Sequence, residues 1–259
     1  PATYPDLPQE IEGYHHLVPL EPPKPIGVVE RNFFGAYMSS VYKAIGTKDG
    51  LPYCLRRLHN SRLAHQKSLT MVDLWKKLVH AHVVQLREVF STKHFGDYSL
   101  MFIYDYHPLA ETLKMRHFSS QQTRMANGNH SLLDDGRSPS GTGAGGPPKF
   151  AINNGAAGGS ASGGLPESLI WTYVVQLSSA LRAIHAAGMA ARTMDPSKIL
   201  IFGKSKLMIN CCGIVDVLTF DANHPNMMAL IQHQQQEDLV GLGRLVVALA
   251  CGTLQAAMR

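Results

Sequence analysis

Paired cysteines are missing from this 259-residue chain. Its four thiols, Cys54, Cys211, Cys212 and Cys251, show no C-x-x-C pair and no metal-ligand spacing. The adjacent Cys211 and Cys212 could join only through a badly strained bridge, so reduced thiols in a cytosolic compartment are expected. The thirteen histidines fall into no H-E-x-x-H or mixed Cys/His cluster, which argues against a zinc site. No apolar run reaches 18 residues and no signal peptide is present, so no membrane-spanning helix is expected. Charge is sparse at 17% of residues, with a net +5. That mild basic bias suits an anionic ligand or nucleic acid without requiring either. The chain opens on Pro1 rather than Met and reads as a piece of something longer.

What is present is enough apolar material for a real core, at 45% hydrophobic. Residues 1–25 carry seven prolines and no sustained period, so they read as an extended arm in which "YHHLVPL" could anchor on the domain behind it. From Phe33 onward two β-like runs flank "GTKDG", with Asp49-Gly50 as the turn. Leu69, Val72, Trp75 and Leu78 then fall at helical intervals, and "VVQLREVF" and "YSLMFIYDY" follow as strands.

The segment at about 119–165 differs in kind. Its last 29 residues, Gly136 to Gly164, hold ten glycines, too little apolar material to offset the entropy of ordering. A disordered Gly/Ser-rich insertion is expected there. Beyond it, Ile170, Tyr173, Val174, Leu177, Leu181 and Ile184 stripe one helix face, with Gly188 as the stop. Trp75 and Trp171 both fall on helical stripes and are expected to pack in the core. "KILIF" and "KLMIN" predict a small strand pair, and "EDLVGLGRLVVALACG" a helix apolar all round, hence buried on every side. The order predicts an α+β, two-lobed layout.

That layout resembles the protein kinase fold, with five landmarks in the right order over residues 30–250. "VYKA" matches the strand after a glycine-rich loop, and "LVHAHVVQL" the joint between the upper helix and fourth strand. "LMFIYDY" matches the strand into the hinge, "IHAAGMAARTMDPSKIL" the catalytic loop, and Asp238 in "EDLVGLG" the residue opening the central lower helix. Within this frame the chemistry has been removed. The glycine-loop slots hold Phe34, Ala36 and Ser39, with Gly35 misplaced; the third-strand lysine slot holds Arg56, and its helix partner slot lies near Met71. The proton-acceptor slot is Thr193, the metal-ligand asparagine slot is Lys198, and D-F-G has become Cys211-Cys212-Gly213. Only 24 residues separate Gly213 from Asp238, with no A-P-E among them. Without general base and metal clamp, phosphoryl transfer loses most of its support.

"YHHLVPL", "VYKAIGTKDGLPYCLRRLH", "YDYHPLAETL", "DPSKIL" and "FDANHPN" narrow the resemblance to the regulatory pseudokinase subunits of the Pan poly(A) nuclease, a cytoplasmic deadenylase. The resemblance implies a bilobal kinase-like fold, truncated in its C-terminal lobe. The arm at 1–25 is followed by an N-lobe at 26–106 and an incomplete C-lobe at 107–259 containing the insertion. It also implies ATP bound but not hydrolysed, or adenosines of a poly(A) tail held in the same place. Arg56 and Lys198 would hold phosphates, Lys198 standing where a metal would have been. The hinge, Asp105, Tyr106, His107, Pro108, Leu109, Ala110, Glu111 and Thr112, would read the base, with Ser197 beside Lys198. No metal is expected. Implied partners are the catalytic deadenylase subunit, poly(A) RNA, poly(A)-binding protein and glycine-tryptophan-repeat silencing proteins. A homodimer through a coiled coil outside these residues is implied too, in the cytoplasm and its P-bodies. Two other readings stand beside this one: an atypical active kinase using Asp195 or Asp216, and a ligand-free scaffold.

Overall fold

The structure, a computed structural model, describes residues 7–21, 33–63, 65–118 and 164–258. The glycine-rich stretch lies outside the described residues up to 163. Leu165, just past it, donates its N–H to the Leu249 carbonyl at 3.1 Å.

The upper lobe is an antiparallel sheet. Strands β1 (Glu10–Ile11), β2 (Tyr14–Pro19), β4 (Tyr37–Gly46), β5 (Pro52–His59), β7 (Ser99–Asp105) and β6 (Leu86–Thr92) lie side by side in that order, and β3 (Phe33–Phe34) pairs with β4. The proline-rich opening therefore contributes two strands, β2 laid along β4 and β1 beyond it, with Ile11, Tyr14 and Leu17 buried. Helix α1 (Leu69–Lys77) crosses the sheet's inner face on Val72 and Trp75. Strand β7 shows how the sheet separates two cores, because alternate side chains take opposite faces. Met101 and Ile103 join Tyr14, Tyr42 and Leu55 on the outer face, while Leu100, Phe102 and Tyr104 enter a larger core shared with the lower lobe.

The lower lobe holds α2 (113–118), α3 (Glu167–Ala186), a three-stranded sheet of β8 (Glu111–Thr112), β9 (Ile199–Phe202) and β10 (Lys206–Ile209), then α4 (Ile214–Leu218) and α5 (Met227–Cys251). The α3 stripe buries Ile170, Tyr173, Leu177, Leu181 and Ile184 as its spacing predicts. The lobes are stitched where the chain leaves α1: Val83 bridges Ile209, and Val84 N–H meets the Ile209 carbonyl at 2.9 Å.

Three expectations need correction. Trp171 is 59% exposed, on the edge of α3 beyond its buried stripe, whereas Trp75 is 2% exposed. Asp238 lies in the middle of α5 rather than at its start, because Asn226 caps the helix by accepting the Ala229 N–H at 3.0 Å. Nor is α5 buried all round among the described residues: Leu239 and Val247 are exposed, and only Asp238, Leu245, Ala248 and Leu249 are fully inside.

Candidate functional site

Strand parity decides which way the third-strand cation faces. On β5, Arg56 shares the face of Cys54 and Leu58, towards the cleft between lobes, while Arg57 lies on the other side against Asp97 at 2.8 Å and the Phe95 ring. Arg56 donates from Nη1 to Ser39 Oγ at 3.0 Å, and its guanidinium lies 5.8 Å from the centre of the Phe34 ring. Lys198 reaches the same ring from the lower lobe, with Nζ at 4.9 Å. The two cations expected to meet phosphate thus converge, but on an aromatic side chain that the sequence reading treated only as a lost glycine. Phe34 is 5% exposed. Its hairpin explains the placement: Phe34 pairs with Tyr37, leaving Gly35 and Ala36 as a two-residue turn with Gly35 at φ +59°. Such a tight turn needs glycine at its first central position.

The hinge residues go several ways. The Tyr106 ring carries Lys43 Nζ at 5.0 Å, beneath β4. Asp105 is committed to Arg87 through two contacts of 2.6 and 2.8 Å, and Glu111 pairs with Arg116. Thr112 Oγ1 accepts the Met115 N–H at 3.1 Å, opening α2. Pro108 and Leu109 face solvent, Leu109 at φ +60°, in a turn whose Ala110 N–H meets the His107 carbonyl. His107 stacks on Phe202 at 5.7 Å, and its Nε2 is the one buried side-chain nitrogen or oxygen without a hydrogen-bond partner among the described residues. Burial holds its pKa below the ordinary histidine value. Ser197 does not stand with Lys198. Its N–H meets Asp195 Oδ1 at 2.8 Å, and both residues line a cavity of about 930 Å³ against Arg244 and Leu245 of α5. Neither Arg56 nor Lys198 nor the hinge lines that cavity.

The catalytic-loop backbone keeps its shape without its chemistry. Asp238, 2% exposed, accepts the N–H groups of Ala191 and Arg192, each at 2.7 Å, and His185 Nε2 at 2.9 Å. Those bonds hold Arg192 at φ +59°, an uncommon conformation for a residue with a side chain. The proton-acceptor slot, Thr193, is buried beside Cys212, Oγ1 to Sγ 3.9 Å. Burial drives the Cys212 thiol far above the usual range and pushes Cys54 up to about 11, so both stay neutral at neutral pH. Among the described residues no three His, Cys, Asp or Glu side chains gather as a metal site.

The two carboxylates that could have replaced the missing ligands are occupied structurally. Asp195 caps the Ser197 turn. Asp216 Oδ2 accepts the Trp75 indole N–H at 2.7 Å, and Oδ1 accepts Arg192 Nη1 at 3.1 Å. This tie runs from the upper helix to the segment after Cys211-Cys212-Gly213, and the motif reading missed it. Gly213, at φ +88°, lets the chain pass under Trp75, where an added Cβ would sit 3.0 Å from the indole.

A kinase-like frame with its base, metal ligands and D-F-G triplet replaced, and its nearby carboxylates engaged elsewhere, defines a pseudokinase. No family model matches the chain. Curated relatives do: it is 46% identical over 258 residues to the PAN2–PAN3 deadenylation complex subunit of Xenopus tropicalis, covering 100% of this chain and 30% of that protein. The human subunit is 46% identical over 259 residues, covering 100% and 27%. The Drosophila melanogaster PAN3 pseudokinase structure superposes with a TM-score of 0.74 at 39% identity, covering 97% of this chain and 56% of that one. A Neurospora crassa complex of PAN2 (WD40-CS1) with PAN3 (pseudokinase and C-term) gives 0.71 at 34% identity, covering 97% and 53%. By sequence and fold alike the chain matches the PAN3 pseudokinases. It spans about 30% of the length of the curated relatives.

Proposed function

We propose that this chain is the ligand-binding module of a regulatory deadenylase subunit, holding an adenine nucleotide or a poly(A) adenosine without hydrolysing it. The observation that carries the reading is the approach of Arg56 and Lys198, one from each lobe, to the same buried ring, Phe34. Two cations aimed together, with no acidic residue bound to either among the described residues, suit a polyphosphate. Tyr106 offers a ring for the base. The whole subunit would bind the catalytic nuclease, as the Neurospora PAN3 does PAN2. It would serve poly(A)-tail shortening in the cytoplasm and P-bodies, alongside poly(A)-binding protein and glycine-tryptophan-repeat silencing proteins. Homodimerisation would run through a coiled coil outside these residues.

A ligand-free scaffold has one observation in its favour, the Phe34 ring already within cation–π reach of both cations. Displacement of a fluorescent ATP analogue separates the two. Binding is expected without magnesium, weakened about tenfold or more by Arg56→Ala or Lys198→Ala, the value of one charge-assisted contact. Phosphate release should stay at background. Magnesium-stimulated turnover, or binding indifferent to both cations, refutes the proposal. In the full-length subunit the double variant should still pull down the nuclease yet slow tail removal.

A further inference from the structure

We propose that Phe34 is a built-in plug of the phosphate subsite, so that anionic ligand and buried Phe34 exclude one another. The inference rests on the nucleotide reading and adds how that site is controlled. Arg56 and Lys198 each bring a positive charge to the same buried ring. The negative face of an aromatic ring attracts both. Phe34 supplies that face at 5.8 and 4.9 Å, so the empty site holds a weak, neutral substitute for an anion. A phosphate offers the same cations a full counter-charge and displaces the ring.

The plug is built to move at one place. Strand β3 is only two residues long and pairs with β4 through Phe33–Met38 and Phe34–Tyr37. Beyond this stub the turn pivots on Gly35, around which an added Cβ would meet nothing within 4 Å. The anchor is fixed by contrast: Ser39, on β4 opposite Leu58, is 3% exposed and holds Arg56. Outward swing of Phe34 therefore leaves Arg56 in place to receive the ligand. The ring meets Arg56 and Lys198 whereas the Tyr106 ring meets Lys43, so Phe34 competes with phosphate rather than with the base.

Competition lowers apparent affinity by the fraction of time the plug is out. Removing it should raise ATP affinity about tenfold if the ring is in place about nine-tenths of the time. Titrate wild type, Phe34→Ala, Phe34→Leu and Phe34→Trp with ATP and with adenosine, checking each fold by thermal melt. The expected result is tighter ATP binding by Phe34→Ala, a gain abolished in the Arg56→Ala, Lys198→Ala background. Adenosine affinity should be unchanged, and Phe34→Trp, which keeps an aromatic plug, should show no gain. Phe34→Leu, which fills the space without a π face, carries the test if the alanine variant does not fold. Wild type that binds ATP while neither smaller variant binds it more tightly overturns the plug and leaves the nucleotide reading standing. Equal gains for ATP and adenosine overturn the phosphate assignment. No binding of either ligand by any variant removes the nucleotide reading and the plug together.

Discussion

Asp216→Ala should be among the most damaging single changes in the chain. The carboxylate is 8% exposed and joins Trp75 of the upper helix to Arg192 of the catalytic loop. Truncation strands the Trp75 indole N–H, on a side chain 2% exposed, at about 1–3 kcal/mol. It also takes the counter-charge from Arg192, which keeps the Thr219 hydroxyl at 3.0 Å and partial access to water, so this loss is the smaller. Against both stands a relief: burial raises the Asp216 pKa above the usual carboxylate value, and removing the group removes that burden. The net expectation is about 3 kcal/mol, at the low end of the range for breaking a buried charge pair. For a chain this long that is a drop of roughly 6–12 °C in Tm.

Urea and thermal unfolding at neutral pH measure it, and a cycle with Trp75→Phe should show about 1–2 kcal/mol of coupling. Asp216→Asn should cost less, since its amide oxygen still accepts from one partner. The pH dependence has a definite sign. A folded-state carboxyl pKa above its unfolded value contributes stability that is present at low pH and lost as pH rises through the folded pKa. The difference between wild type and Asp216→Asn should therefore shift against wild type across that rise. Phosphate release should be at background in every variant. Asp216→Ala within 0.5 kcal/mol of wild type, a tolerance typical of surface changes, would show the tie to be ornamental.

Gly213→Ala should cost about 2 kcal/mol or more. It places a side chain at φ +88° and a Cβ 3.0 Å from Trp75, and a neutral melt would contradict the packing. Trp171→Ala should change stability by less than about 0.5 kcal/mol despite the residue's size, because the indole is largely in water. Burial lowers the pKa of His59, His80, His107 and His117. Their contribution is present above the unfolded histidine pKa of about 6.5 and lost as pH falls through it toward the folded values. The melting temperature should thus fall between pH 7.5 and 5.5, less steeply in His107→Phe, and an unchanged slope in that variant would acquit His107.

The frame was legible because its landmarks are local patterns. The α3 stripe, the Asp49-Gly50 turn and the catalytic-loop string each announce themselves within twenty residues or so. What stayed hidden needed partners distant in sequence or a broken period. Strand β2 carries a register shift between His15 and Val18, with His16 at φ +54°, so its alternation fails and the proline count dominates. The early start of α5 was signalled by Pro225-Asn226 and by three consecutive glutamines, good helix formers, but the apolar pattern becomes dense only from Leu239 onward. Motif alignment fixed the slots of Arg56 and Lys198. It could not show the Phe34 ring beside both, because a glycine-loop slot says nothing about where a substitute side chain folds. The placement of Ser197 was hidden for a related reason: adjacency to Lys198 in sequence does not reveal the turn that Asp195 caps.

One physical change connects these observations. In an active kinase the third-strand lysine serves two masters, pairing with the upper helix and with the nucleotide phosphates. Here the helix slot near Met71 offers no carboxylate, and α1 is held instead by Trp75 on Asp216, with Arg192 and Asp238 continuing the chain of contacts into the lower lobe. Arg56 is thereby freed from aligning the lobes; among the described residues its one hydrogen bond is to Ser39 on the neighbouring strand. The consequence is a separation of duties. Arg56→Ala should weaken the proposed phosphate binding about tenfold or more and cost only about 1 kcal/mol of stability, the worth of one ordinary hydrogen bond, whereas Asp216→Ala should unsettle the lobes without touching Arg56 or Lys198. With the lobes aligned by contacts that do not involve Arg56, the fold should keep its shape when Arg56 is replaced.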